Sequence, residues 1–233
     1  MPFSSIPCPC GTAPVLKWTV VCALVFAAFC SSAYAAYYDV PKDLDVSGAY
    51  TQAASGMMFP ERMLDFQRTA VTRYNSEATE ESADYVLDEP GRQAMVSVYV
   101  YPAPTEIAQA LAGSLSRDEL AGALYMIAEQ LFGDEEQAIT QLHPGAEMTD
   151  EGDTSLLKQG MNWPGNYASY RYDEDAFGKV QRVDSKLYLF PMVAGKWLVK
   201  YRLTAPAATG AEEAERFVRA LPWTIRTEKG TAQ

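Results

Sequence analysis

The sequence predicts an α+β fold: a single domain on an antiparallel sheet of about five to seven strands with helices packed on it. Three observations predict it. Segments rich in Thr, Val and Tyr occupy both halves of the chain and flank a helical middle. The last third runs as successive strands separated by short turns, which is a meander. Strands do not alternate with helices as a doubly wound parallel sheet requires.

The first element is an address. Lys17 precedes an apolar run from Val20 to Phe29, and small residues then lead to Ala33-Tyr34-Ala35. A positive charge, a short apolar core and an A-x-A site are the pattern of a secretory signal peptide. Residues 1–35 are therefore expected to be removed, leaving a periplasmic or secreted protein. Retention of Trp18–Ala36 as an anchor is the alternative, because that stretch approaches the about 20 residues that a spanning helix needs. Phe29 stands before Cys30 where a lipobox needs a small residue, so lipidation is not expected. Residues 36–55 read as a polar N-terminal arm or linker, and residues 56–228 as the α+β domain.

All four cysteines (Cys8, Cys10, Cys22, Cys30) lie in the leader. The exported part can form no disulfide and no Zn–thiolate site, so its stability must come from its core. The chain carries 19 basic and 30 acidic residues, a net charge of −11. The leader holds one of those bases and none of the acids. Such a charge argues against electrostatic binding to nucleic acid or to anionic lipid.

Within the domain, Gly56 to Pro60 opens the folded part and Phe66 to Tyr74 reads as a strand. Asn75 to Ser82 reads as a charged loop and Asp84 to Leu87 as a short strand. Glu89-Pro90-Gly91 is a turn. Ala94 to Tyr101 is the strongest strand; both its faces are apolar, so it should be central. Pro102 and Pro104 stop it, and Thr105 to Leu115 is Ala-rich helical sequence. Ser116 and Glu119 form a capping box. Leu120, Leu124, Ile127, Leu131 and Phe132 then recur at helical spacing. Gly133-Asp134 marks a break before a short helix from Glu135 to Leu142, ended at His143-Pro144-Gly145.

Four strands follow: Ser155–Gly160, Tyr167–Tyr172, Val180–Phe190 and Lys196–Thr204. The last alternates apolar and polar residues, as a half-buried antiparallel strand does. Thr209 and Glu212 form a second capping box. Ala214, Phe217, Val218 and Leu221 give the closing helix one apolar stripe. Pro222 ends it, and Trp223 pins the tail.

No catalytic constellation assembles. His143, the only histidine, sits where a helix ends, a position that the helix dipole favours without any chemistry. No G-x-S-x-G elbow, P-loop or G-x-G-x-x-G is present, and a single histidine excludes H-E-x-x-H. Asp173, Asp175 and Gly178 match part of an EF-hand loop, but Phe177 and Asp184 stand where an oxygen ligand and a Glu belong. That segment reads as a solvated hairpin, and Asp150 to Asp153 as a similar acidic turn. No metal and no cofactor are expected. The best binding candidate is Asn162–Tyr167, an exposed aromatic loop in which Trp163, Asn166 and Tyr167 offer apolar rings with polar tips.

Phe59-Pro60-Glu61, Phe66, Arg68, Tyr74 and Val96 to Pro102 (VSVYVYP) resemble a family of uncharacterised exported proteobacterial proteins with an F-P motif and a V-Y-V-Y-P strand. The resemblance covers Phe59 to Pro104 and implies a Gram-negative, periplasmic envelope protein, with no activity attached. The strand Lys196–Thr204 with the helix Glu212–Leu221 looks like the ending of PsbP-like α/β/α domains, which are interaction modules. The expected function is thus a non-enzymatic, exported domain that binds an envelope protein, a glycan or another ligand. A hydrolase of envelope glycans or esters, using carboxylates or a Ser with His143, is the alternative. A membrane-tethered accessory protein is a third reading.

Overall fold

The computed structural model describes residues 40–104 and 116–226. The predicted leader, the Ala-rich segment 105–115 and the side chains of Leu120 and Leu124 lie outside the described residues.

The fold is mostly β, which corrects the α+β expectation. One sheet holds nine strands, more than the five to seven expected, and two helices occur among the described residues. A PsbP-like helix–sheet–helix sandwich does not form, because the sheet is far wider than the helices that lie on it. The sheet comprises β1 (Lys42–Asp43), β4 (Arg62–Met63), β5 (Phe66–Arg73), β6 (Glu81–Glu89), β7 (Arg92–Pro102), β8 (Glu147–Lys158), β9 (Met161–Ala176), β10 (Lys179–Val193) and β11 (Trp197–Pro206). β2 (Tyr50–Thr51) and β3 (Met58–Phe59) pair separately. The helices are α1 (Arg117–Leu142) and α2 (Glu212–Ala220).

The strand order is β1-β5-β6-β7-β11-β10-β9-β8, with β4 also on β5. Two antiparallel meanders, β5–β7 and β8–β11, therefore meet where β7 pairs with β11. The chain crosses between them through the segment that contains α1, so β8 becomes the far edge. β7 is central, as both its apolar faces require. Val96, Val98 and Val100 are wholly buried on one side, and Met95 and Tyr101 pack on the other.

The first core gathers those valines with Tyr85 of β6, Val199 and Tyr201 of β11, and Phe190 of β10, under Phe217 and Val218 of α2. Phe217 meets Phe66 edge-on at 5.0 Å and Tyr85 at 4.7 Å. Trp223 is buried and donates its indole N–H to the Tyr201 hydroxyl, so it pins the tail as its sequence position indicated. The second core, on the opposite face, is thinner. Ala168, Tyr170, Tyr172, Leu187, Leu189 and Leu198 of the sheet face Phe132 and Ile139 of α1.

Two charged segments expected as loop or turn are strand. Glu81 and Ser82, read as loop, are buried in β6; Glu81 pairs with Arg73 at 2.8 Å and accepts from the Tyr50 hydroxyl at 2.8 Å. Asp150 to Asp153, read as a turn, lie within β8. An edge strand with solvent beside it tolerates acids that a central strand would not. The Asp173–Ala176 segment is laddered to Lys179–Arg182 around a tight turn at Phe177-Gly178, both with positive φ, so no calcium loop forms.

The break expected at Gly133-Asp134 is absent: α1 is continuous from Arg117 to Leu142. A glycine costs a helix only about 1 kcal/mol, which its neighbours overcome. The Ser116–Glu119 capping box does form. The box expected at Thr209–Glu212 does not: the N-cap is Ala211, and the Thr209 hydroxyl donates to the Pro206 carbonyl instead. The opposite end of α2 is held by Lys158, a buried lysine at the end of β8. Its ammonium donates to the carbonyl oxygens of Val218, Arg219 and Leu221 at 2.7–2.8 Å. Burial pushes this group down to about 8. No helix among the described residues is long and apolar enough to cross a membrane.

Candidate functional site

Two prolines open the sheet. The β9–β10 ladder runs from Ala176↔Lys179 to Asn166↔Leu189 and stops there. Pro164 and Pro191 lie just beyond it on the two strands, and a proline has no N–H to continue a ladder. Past that point β9 stays with β8 as far as Met161↔Lys158, while β10 stays with β11. The ladder ends there, and α1 lies across that end of the sheet.

Polar contacts tie α1 to the sheet. Lys200 donates to Glu135 at 2.8 Å, the Tyr170 hydroxyl to Glu136 at 3.3 Å, and the Asn166 amide to Glu129 at 3.1 Å. Phe132 and Ile139 are its buried apolar anchors among the described side chains. A space lies between α1 and the end of β9.

That space is a cleft with two adjoining parts. The larger, of about 390 Å³, has apolar walls from Tyr125, Ala128, Pro164, Pro191 and Met192. The smaller, of about 290 Å³, is acidic: Glu129, Glu136, Glu151 and Asp153 line it with Phe132. Among the described residues these four carboxylates form no ion pair. Burial raises the Glu136 carboxyl above its ordinary range; the Tyr170 hydroxyl lowers it, and the nearby Glu151 and Glu129 raise it again. Among the described residues no group of His, Cys, Asp and Glu is placed to hold a metal ion.

The Asn162–Tyr167 segment is not a loop but the start of β9. Its alternation separates the three candidate residues. Asn166 lines both parts of the cleft and donates to Glu129 across it. Trp163 points to the other face, half-buried, with its ring 6.1 Å from that of Trp223. Tyr167 shares that face; its hydroxyl donates to Asp150 at 2.9 Å, and Lys186 lies over its ring. His143 caps α1, stacks on Tyr172 at 4.1 Å and approaches Arg202 at 3.4 Å. Tyr125, Glu129 and Glu151 were not singled out from sequence. Helical periodicity places Tyr125 and Glu129 on a helix and Glu151 reads as part of a turn, but nothing local says that α1 crosses the end of β9.

No protein-family model matches the chain, and no curated protein matches it in sequence. Among solved structures it is similar to the protein of unknown function PA94 from Pseudomonas aeruginosa, at 14% identity and a TM-score of 0.31. That match covers 74% of this chain and 91% of the other. It is also similar to LpqN of Mycobacterium tuberculosis, which is involved in cell envelope biogenesis, at 10% identity and a TM-score of 0.30. Here 78% of this chain and 89% of the other are covered. A likeness this weak bears on neither fold nor function.

Proposed function

We propose that this chain is an exported envelope protein, periplasmic or secreted, that works as a non-enzymatic binding domain, and that its ligand enters the cleft beneath α1. The cleft carries this reading. Ligand sites range over about 300–1,000 Å³ and combine apolar walls with a few polar groups. Here an apolar wall of Tyr125, Pro164, Pro191 and Met192 faces carboxylates and the Asn166 amide. The leader pattern supports export.

The test is a cross-linking pull-down from the native envelope with the wild type and with Ala128→Trp, whose indole fills the cleft. The expected result is a reproducible ligand or protein retained by the wild type and lost by the variant. Equal recovery with both would refute the cleft. The mass of the protein from its native host decides between a cleaved chain and one tethered by Trp18–Ala36.

A second reading, hydrolysis of envelope glycans or esters, has one observation in its favour. A carboxyl raised by burial in a cleft can serve as a proton donor at neutral pH. Burial raises the Glu136 carboxyl in that direction, with Glu151 nearby. Turnover of chromogenic glycosides or esters that is abolished in Glu136→Gln would establish it.

A further inference from the structure

β8 ends the sheet. It is twelve residues long, and among the described residues it pairs with β9 alone. The opposite edge, β1, is two residues long. From Asp150↔Ser169 to Lys158↔Met161 the β8–β9 ladder is regular, so the outer side of β8 presents a straight row of backbone N–H and C=O groups. Such a row is a template for another strand.

Charge selects the occupant. Glu151 and Asp153 project from β8 into the cleft, where Glu129 and Glu136 of α1 face them. Glu147 and Asp150 extend the acidic edge, and exposed Leu157 gives it an apolar end. Pairing β8 with a second copy of itself would double the negative charge along this edge and bring no cation to the cleft, so self-repulsion disfavours it. A segment with a cation at every second position would instead place those cations on the cleft side.

We propose that β8 docks an extended, lysine- or arginine-bearing polypeptide segment, which adds to the sheet as a further strand with its basic side chains over the cleft. This deepens the reading of the cleft as a binding site and rests on it. Backbone pairing supplies affinity, and the alternating carboxylates choose sequence.

The probes are a short peptide alternating lysine and valine, the same peptide N-methylated at alternate residues, and a glutamate–valine control, titrated calorimetrically into the full chain. The lysine peptide is expected to bind. Alternate N-methylation blocks one row of backbone donors and should weaken binding by about tenfold or more. A Glu151→Gln/Asp153→Asn variant should weaken it by a similar factor, and the glutamate peptide should not bind. Equal binding of the N-methylated peptide would overturn strand addition while leaving a cleft that holds cationic side chains. Failure of the lysine peptide to bind would overturn the inference altogether. The Ala128→Trp pull-down would then decide the cleft reading separately.

Discussion

Replacing Lys158 by Met is expected to destabilise the protein by about 3 kcal/mol. The last carbonyls of a helix have no intrahelical partner. In α2 three carbonyls of the terminal region receive their hydrogen bonds from one ammonium, at 2.8, 2.7 and 2.7 Å. Two of these contacts, to Val218 and Leu221, are buried. Water cannot replace the donor there, and a buried acceptor left unpaired costs about 1–3 kcal/mol. The positive charge also opposes the C-terminal end of the helix dipole, worth up to about 2 kcal/mol when partly buried. Against these, the variant escapes the cost of holding a charge in the interior, and methionine refills much of the lysine stem. The balance is a loss of about 3 kcal/mol, or about 6–12 °C in Tm for a domain of this size. Equilibrium urea unfolding, followed by tryptophan fluorescence, reads it directly. The m-value should stay constant, because the surface exposed on unfolding does not change. A loss below about 1 kcal/mol would mean that the carbonyls find other donors, and that Lys158 is not what fixes α2 to β8.

Three further outcomes are expected. Gly165→Ala puts a Cβ 2.5 Å from Phe190 Cδ1 and against the Leu189 carbonyl oxygen, so it should cost about 3 kcal/mol in urea unfolding; near-neutrality would mean that β9 and β10 do not approach this closely. Burial holds the His143 imidazole below its ordinary 6.5, with Glu174 raising it and Arg202 lowering it. The unfolded chain then binds the proton more readily, so the wild type should lose stability as pH falls below about 6.5, and His143→Gln should show a shallower loss between pH 7.5 and pH 5. Identical pH profiles would exclude that linkage. Phe132→Ala removes a buried apolar anchor of α1, so hydrogen exchange should accelerate across Arg117–Leu142 while the β7 and β11 amides stay protected. Uniform acceleration in both would show that α1 and the sheet open as one unit.

The strands most legible in sequence were those whose side chains record their surroundings. β7 shows two apolar faces because it is covered on both; β11 alternates because its second face is only partly covered. α2 announced itself through Phe217, Val218 and Leu221, and α1 through the Ser116–Glu119 box. The strands that hid were those whose acids are answered from afar. Glu81 reads as loop until Arg73 and Tyr50 are brought beside it, and Asp150 to Asp153 read as a turn until β9 pairs with them. Adding those residues lengthens β6 and β8, and the short β1 and β4 bring the sheet to nine strands.

The candidate site was legible in the same partial way. Asn166 was found, but its neighbours Trp163 and Tyr167 belong to the opposite face. That separation follows from a β-strand's two-residue period once Asn162–Tyr167 is known to be strand. Pro164 and Gly165 made the segment look like a loop. In the sheet they act differently: Pro164 lies where the β9–β10 ladder stops, and Gly165 lets β9 approach Leu189 and Phe190 closely.

By itself the sequence determined the cysteine-free and acidic character of the chain beyond residue 35, the central place of β7, the capped start of α1 and the amphipathic closing helix. These are local properties, set by composition and by a periodicity that spans a few residues. Only the tertiary structure decided the nine-strand width of the sheet, the burial of Glu81 and Lys158, and the cleft shared by Glu129, Glu136, Glu151 and Asp153. Each of those depends on a partner far along the chain, and the free energy of burying or gathering charge is settled where the chain meets itself, not where the residue is written.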